Sequence, residues 1–159
     1  MNNLKLQPVT QDNIHYLDQV EGLFLKLYEG YNVQGLILKL AEDGQKKWKQ
    51  SIQRSIGKLS QVYVALKGDE VIGFVSGSVK LTPDFLGERL VGYISGIYIK
   101  DDYRRMGIAE KLFKMIEEWF MTKKVHSVEL QVVVKNEQGL QFWKKLSFEH
   151  ELFQLRKIF

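Results

Sequence analysis

The chain has 159 residues, of which 45% are hydrophobic, 12% aromatic and 26% charged, a balance that predicts one compact domain over residues 1–159 with no need of a disulfide or structural metal. The absence of cysteine and a total of three histidines exclude a catalytic thiol, a thiolate zinc site and an iron–sulfur cluster, argue against any metal, and fit a reducing compartment. A formal net charge of +4 suits an anionic ligand but falls short of the clustered basic face that a nucleic-acid partner requires.

The opening stretch Met1 to Thr10 alternates apolar and polar residues, without a signal-peptide pattern, and no later segment is long and apolar enough to span a bilayer, which predicts a soluble, cytoplasmic protein. Leu4, Leu6 and Val9 mark a first strand. Thr10 and Asp12 are capping candidates for a helix through Ile14, Leu17, Val20, Phe24 and Leu27 that ends near Gly30. A weaker helical pattern over Val33 to Lys58 is interrupted at Asp43-Gly44 and stopped by Gly57. Ser60 to Leu81 reads as a β-hairpin turning at Lys67 to Glu70. After a loop at Pro83 to Gly87, Leu90 to Ile99 forms a strand, and Ile108, Leu112, Ile116 and Phe120 recur at helical spacing. Val125 to Val134 is β-branched and apolar enough for a further strand, Glu137 to Leu146 for a short helix, and Phe148 to Ile158 for a closing strand or strand pair.

The turn between the Leu90 to Ile99 strand and its helix reads Lys100-Asp101-Asp102-Tyr103-Arg104-Arg105-Met106-Gly107-Ile108-Ala109. Gly107 and Ala109 lack bulk where the helix begins, so an anion can approach the unpaired amides of the first turn, with Arg104 and Arg105 as added donors. An ordinary strand-to-helix turn with solvated arginines fits the same residues. Neither Gly-x-x-x-x-Gly-Lys-Ser/Thr nor Gly-x-Gly-x-x-Gly is present, so two familiar phosphate loops are set aside.

In its context this segment resembles the central motif of the GNAT superfamily of acyl-CoA-dependent N-acetyltransferases, Arg/Gln-x-x-Gly-x-Gly/Ala, matched by Arg104, Gly107 and Ala109. A second element of that family, Asn-x-x-Ala-x-x-Phe-Tyr-x-Lys-x-Gly-Phe, is matched at Asn136, Phe142, Lys145 and Phe148, whereas Gly139, Trp143 and Ser147 depart from it. The resemblance implies an α/β fold of the α+β type: a mixed, mostly antiparallel central sheet with a splayed parallel strand pair, flanked by helices on both faces. It further implies acetyl-CoA as cosubstrate and an amine as acceptor, with no metal. Pantetheine would lie in the splay against main-chain atoms of Ile97, Tyr98 and Ile99, and the pyrophosphate against Arg104, Arg105, Met106, Gly107, Ile108 and Ala109. Asn136 would touch the pantetheine arm, although an N-cap role explains it as well. A homodimer through the final strand is common among such relatives.

The residue often assigned as general acid in the family corresponds to Trp143, whose indole N–H supplies no proton, so Trp143 is expected to pack beside the cofactor. Because a thiol has a pKa near 8.5, the leaving group tolerates departure as a thiolate. The strand position where some relatives carry a glutamate is Tyr93, and Tyr93, Glu88 and Asp84 are the catalytic candidates, with Glu129 behind them. Phe24, Tyr28 and Tyr31 are candidates for lining the acceptor pocket. A catalytically idle acyl-CoA-binding or regulatory domain is the competing expectation.

Overall fold

The computed structural model describes residues 3–159; Met1 and Asn2, where the alternating stretch begins, lie outside that range. Strand β1 (Leu4–Pro8) leads through a short 3-10 turn (Gln11–Asn13) to helix α1 (Tyr16–Val33) and then α2 (Gly44–Ser55). Thr10 does cap, but it caps the short turn, accepting from the Asp12 amide at 3.3 Å while Asn13 Oδ1 accepts from the Thr10 amide at 2.6 Å. The first helix also outruns its expected end near Gly30. A glycine inside a helix costs only about 1 kcal/mol, and the chain continues to Val33 before Gly35 turns left-handed at φ 114°.

Strands β2 (Ser60–Lys67), β3 (Glu70–Leu81) and β4 (Leu90–Ile99) continue the sheet, followed by α3 (Ile108–Thr122), β5 (Ser127–Glu129) and α4 (Glu137–Lys145). The strand order is β1-β2-β3-β4-β5, antiparallel throughout except for the parallel β4–β5 pair. Successive strand residues point to opposite faces, and both faces are apolar. Val64 and Phe74 face Leu17, Val20, Phe24 and Leu27 of α1 and Ile52 of α2. On the other face, Ile72, Val75 and Ile94 meet Leu112, Ile116 and Phe120 of α3 and Trp143 of α4. Helices thus cover both faces, as expected. The seating of α3 is close: a Cβ on Gly77 would lie 2.7 Å from Ile116 Cδ1, and one on Gly92 would lie 2.7 Å from Phe120 Cδ1.

Two expected strands are corrected. Val125 to Val134 contributes only Ser127–Glu129 to the sheet, paired with Val91 to Tyr93. Beyond Glu129 the backbone leaves β4, while Leu130 and Val132 pack into the same core cluster as Val128. Phe148 to Ile158 forms no strand. Phe148 packs on Trp143 with ring centroids 5.3 Å apart, but Leu152, Phe153, Leu155 and Ile158 stand exposed. The alternation there supplies strand propensity, yet a strand forms only against a partner ladder, and among the described residues no neighbouring edge takes it up.

Candidate functional site

The parallel ladder ends at Tyr93, opposite Glu129, so β4 from Ile94 to Ile99 pairs with β3 on one side and has an open edge on the other. Backbone groups of one strand residue point to the same side and alternate along the strand. The Lys100 amide donates to Ile72 of β3 at 2.9 Å, and the register is regular from Gly96 to Ile99. The N–H and C=O of Ile97 and Ile99 therefore face the open edge, and those of Tyr98 face β3. The Ile99 carbonyl already accepts from Arg104 Nε at 2.9 Å.

The turn after β4 is shaped by two left-handed residues, Arg105 at φ 60° and Gly107 at φ 75°. Left-handed residues beside right-handed ones turn successive amides toward one point, an anion-binding concavity. Lys100 to Tyr103 close a 3-10 turn, with the Arg104 amide donating to Asp101 at 3.2 Å. From Arg105 to Glu110, no backbone N–H donates to a protein acceptor among the described residues. These amides sit at the positive end of α3, where a negative charge is stabilised. A Cβ on Gly107 would meet nothing within 4 Å, so the space in front of the helix is open. Arg105 and Met106 are exposed, Ile108 is buried and Ala109 is half-buried. Arg104 is spent internally: besides Ile99, its Nη2 lies 3.0 Å from Asp101 Oδ1.

Asn136 caps α4, its Oδ1 accepting from the Gly139 amide at 3.0 Å. A Cβ on Gly139 would crowd the Asn136 side chain, which would have to shift to admit one. Trp143 is buried in a cluster of Phe113, Phe142 and Phe148, with centroid separations of 5.7, 4.9 and 5.3 Å. Lys145 Nζ, 3.2 Å from Glu110 Oε2, ties α4 to the first turn of α3.

On the opposite face, Tyr93 projects toward α1. Its hydroxyl donates to Gln131 Oε1 at 3.3 Å, and Lys80 Nζ lies 5.1 Å from its ring centroid. Lys80 in turn pairs with Glu129 at 2.5 Å. Burial first, then Tyr28, pushes the Tyr93 phenol up. Tyr31 is pushed up to about 12 by burial, with Tyr28 and Tyr93 adding to it. Phe24 stacks on Trp48 at 4.1 Å and lies 5.3 Å from Tyr28, which meets Tyr31 edge-on at 5.6 Å. Asp84 and Glu88 stand exposed on the β3–β4 loop, where Asp84 Oδ1 accepts from the Phe85 amide at 2.7 Å. Sequence reasoning passed over Lys80, placed by the β3–β4 pairing, and Gln131, placed just past the end of β5, because neither carries a local signal.

A sequence profile of the Acetyltransferase (GNAT) family matches residues 24–148. An uncharacterized N-acetyltransferase of Methanocaldococcus jannaschii is 26% identical over 148 residues, 92% of this chain and 61% of that protein, so the chain spans about three-fifths of that relative's length. Among solved structures, an aminoglycoside N-acetyltransferase, AAC(6')-Iy, bound to the bisubstrate analog CoA-S-monomethyl-acetylneamine, superposes with a TM-score of 0.75 at 17% identity, over 98% of this chain and 98% of that chain. An aminoglycoside acetyltransferase from an uncultured soil metagenomic sample, in complex with sisomicin, gives 0.72 at 17% identity over 99% and 97% of the two chains. A mutant protein from Bacillus halodurans gives 0.80 at 17% identity over 98% and 99%. At these identities the structural likeness shows the fold alone.

Proposed function

We propose, from the premise that this chain belongs to the Acetyltransferase (GNAT) family, that it moves an acetyl group from acetyl-CoA to a primary amine of a small molecule or peptide, directly, in a ternary complex. The observation that carries this reading is the run of unpaired amides from Arg105 to Glu110 at the start of α3, joined through Arg104 and Ile99 to the open edge of β4.

In this reading the pyrophosphate of acetyl-CoA sits on the amides of Arg105, Met106, Gly107, Ile108 and Ala109, where the helix end favours its charge. Arg104 braces the turn, and Arg105 offers an exposed guanidinium. The pantetheine arm extends along the open edge as an added strand, its amides meeting the main chain of Ile97 and Ile99, with the side-chain amide of Asn136 at the far side of the gap. Tyr98 contributes its ring beneath Arg104, at 5.3 Å, and not its backbone.

The amine attacks the thioester carbonyl, the new N–C bond forms, and the C–S bond breaks. The outward N–H of Ile97 is aimed to polarise that carbonyl. A thiol pKa near 8.5 lets the sulfur leave as a thiolate that then takes up a proton. Trp143 packs behind the arm and moves no proton. Tyr93, a neutral phenol at neutral pH, acts as a hydrogen-bonding partner of the amine, and the surplus proton passes through water to Asp84 or Glu88. The competing reading, acyl-CoA binding without turnover, is favoured by the burial of Trp143 among three phenylalanines, which leaves α4 with no acid at that position.

The test is Gly107→Glu, which places bulk and negative charge in the anion site. Acetyl-CoA affinity measured by calorimetry is expected to fall roughly 100-fold or more; an unchanged affinity overturns the site. Acetyl transfer by the parent protein across an amine panel separates the enzyme from the idle binding domain.

A further inference from the structure

The acceptor side of this site has an unusual chemistry for a protein that handles amines, which are mostly cations at neutral pH. Tyr93 is the last β4 residue in the parallel ladder, so its ring stands at the mouth of the gap where the thioester would lie. Across from it are Tyr28 and Tyr31 of α1, backed by Phe24 and Trp48. The hydroxyls of Tyr28 and Tyr31 make no hydrogen bond among the described residues, and both side chains are half-buried. Burial holds Tyr31 and Tyr93 in their neutral forms far above neutral pH.

Among the described residues, Glu129 of β5 and Asp18 and Glu21 of α1 are engaged by lysines. Glu129 is bound by Lys80 at 2.5 Å. Asp18 and Glu21 of α1 are both held by Lys49 at 2.9 Å. Glu29 is exposed and lies about 100° around the helix from Tyr28, and about 160° from Tyr31, away from the sheet. In α2 the first turn has no acid, and Asp43 before it pairs with Lys46 at 3.5 Å. Asp84 and Glu88 belong to the exposed β3–β4 loop. An aromatic cage alone attracts cations, but here Lys80 already occupies the face of the Tyr93 ring.

Resting on the acetyltransferase reading above, we infer that the acceptor is a weakly basic primary amine carried on a flat or apolar group, held against Tyr28, Tyr31 and Tyr93. Such an amine arrives with its lone pair free. At pH 7 an alkylamine of pKa near 10.4 is neutral in roughly one molecule in 2500, whereas an α-amino group of pKa near 8 is neutral in about one in ten. The flat group supplies stacking area on the tyrosine rings, and the free hydroxyls take the polar edge. An amine that arrives unprotonated leaves no surplus proton for Asp84 or Glu88: its one displaced proton ends on the departing sulfur, yielding free thiol and amide.

The test compares aniline and phenylalaninamide with putrescine and kanamycin as acceptors, following thiol release from acetyl-CoA. At pH 7 the first pair is expected to exceed the second roughly 100-fold in kcat/KM, with the gap closing as pH approaches 10. Tyr31→Leu should raise KM for phenylalaninamide about tenfold and leave the Kd for CoA unchanged. Because that variant removes a packed ring, a surface change provides the second arm: Lys80→Gln frees Glu129 and uncovers Tyr93, and should raise kcat/KM for putrescine relative to phenylalaninamide about tenfold. Preferential use of putrescine or kanamycin at pH 7, or an unaltered ratio in Lys80→Gln, overturns the inference while leaving acetyl transfer intact. Absence of thiol release with all four amines at pH 7 and pH 10, with CoA still bound, overturns the acetyltransferase reading itself.

Discussion

Arg104 Nε donates to the Ile99 carbonyl at 2.9 Å, and the guanidinium carbon lies 5.3 Å from the centre of the Tyr98 ring. One side chain therefore ties the turn before α3 to the end of the open edge of β4, and holds the run of unpaired amides in register with Ile97 and Ile99. Arg104→Leu keeps much of the contact with Tyr98 but strands the carbonyl. It is expected to raise KM for acetyl-CoA about tenfold and to lower stability by about 1 kcal/mol. Arg104→Gln, which retains a donor, should recover most of both, as steady-state kinetics and thermal denaturation would record. Equal losses in the two variants would show that charge, and not the brace, is what matters.

Trp143 fills the space between Phe113, Phe142 and Phe148. Trp143→Ala is expected to cost about 3 to 5 kcal/mol in unfolding free energy, because the vacated volume cannot collapse fully. Trp143→Phe should retain kcat within a few-fold of the parent. General acid catalysis is worth about 100-fold or more, so a loss of that size in Trp143→Phe with intact CoA binding would assign the indole a chemical part.

Tyr31 offers a stability test in alkali. Its folded pKa is raised from 10.0 to about 12, chiefly by burial, so the unfolded chain loses the phenolic proton first. The stability present below pH 10 is then lost as pH rises through about 12, by about 2 to 3 kcal/mol. Tyr31→Phe removes this term. The melting temperature of the parent is expected to fall more steeply than that of the variant between pH 10 and pH 12, and parallel curves would refute the assignment.

Much of the candidate site was legible in the residues themselves, because an anion site at a helix start is a local device. Gly107, the short run to Ala109 and the preceding strand declare the turn and the unpaired amides without reference to distant parts of the chain. The order of strands and helices was likewise written in apolar spacing, as at Ile108, Leu112, Ile116 and Phe120, which all face the sheet. Caps and glycines misled where several solutions were close in energy: Gly30 is tolerated inside α1, and Thr10 serves a turn ahead of it.

By itself, apolar periodicity along the chain determined the order of strands and helices, the resemblance carried by two motifs gave the fold class, and the backbone chemistry of a short segment gave the unpaired amides before α3. Tertiary structure decided the rest. Val125 to Val134 leaves the sheet after Glu129 although Leu130 and Val132 pack with Val128 in one core cluster, so alternation there marks burial and not pairing. Phe148 to Ile158 has strand character but no ladder to join, and strand pairing is a property of two segments, never of one. The neutral, aromatic lining around Tyr93 exists only because β3 brings Lys80 to its ring, β5 brings Glu129 to Lys80, and α1 brings Tyr28 and Tyr31 across. Charge and burial there depend on separations of a few ångströms between residues far apart in the chain, which no local pattern encodes.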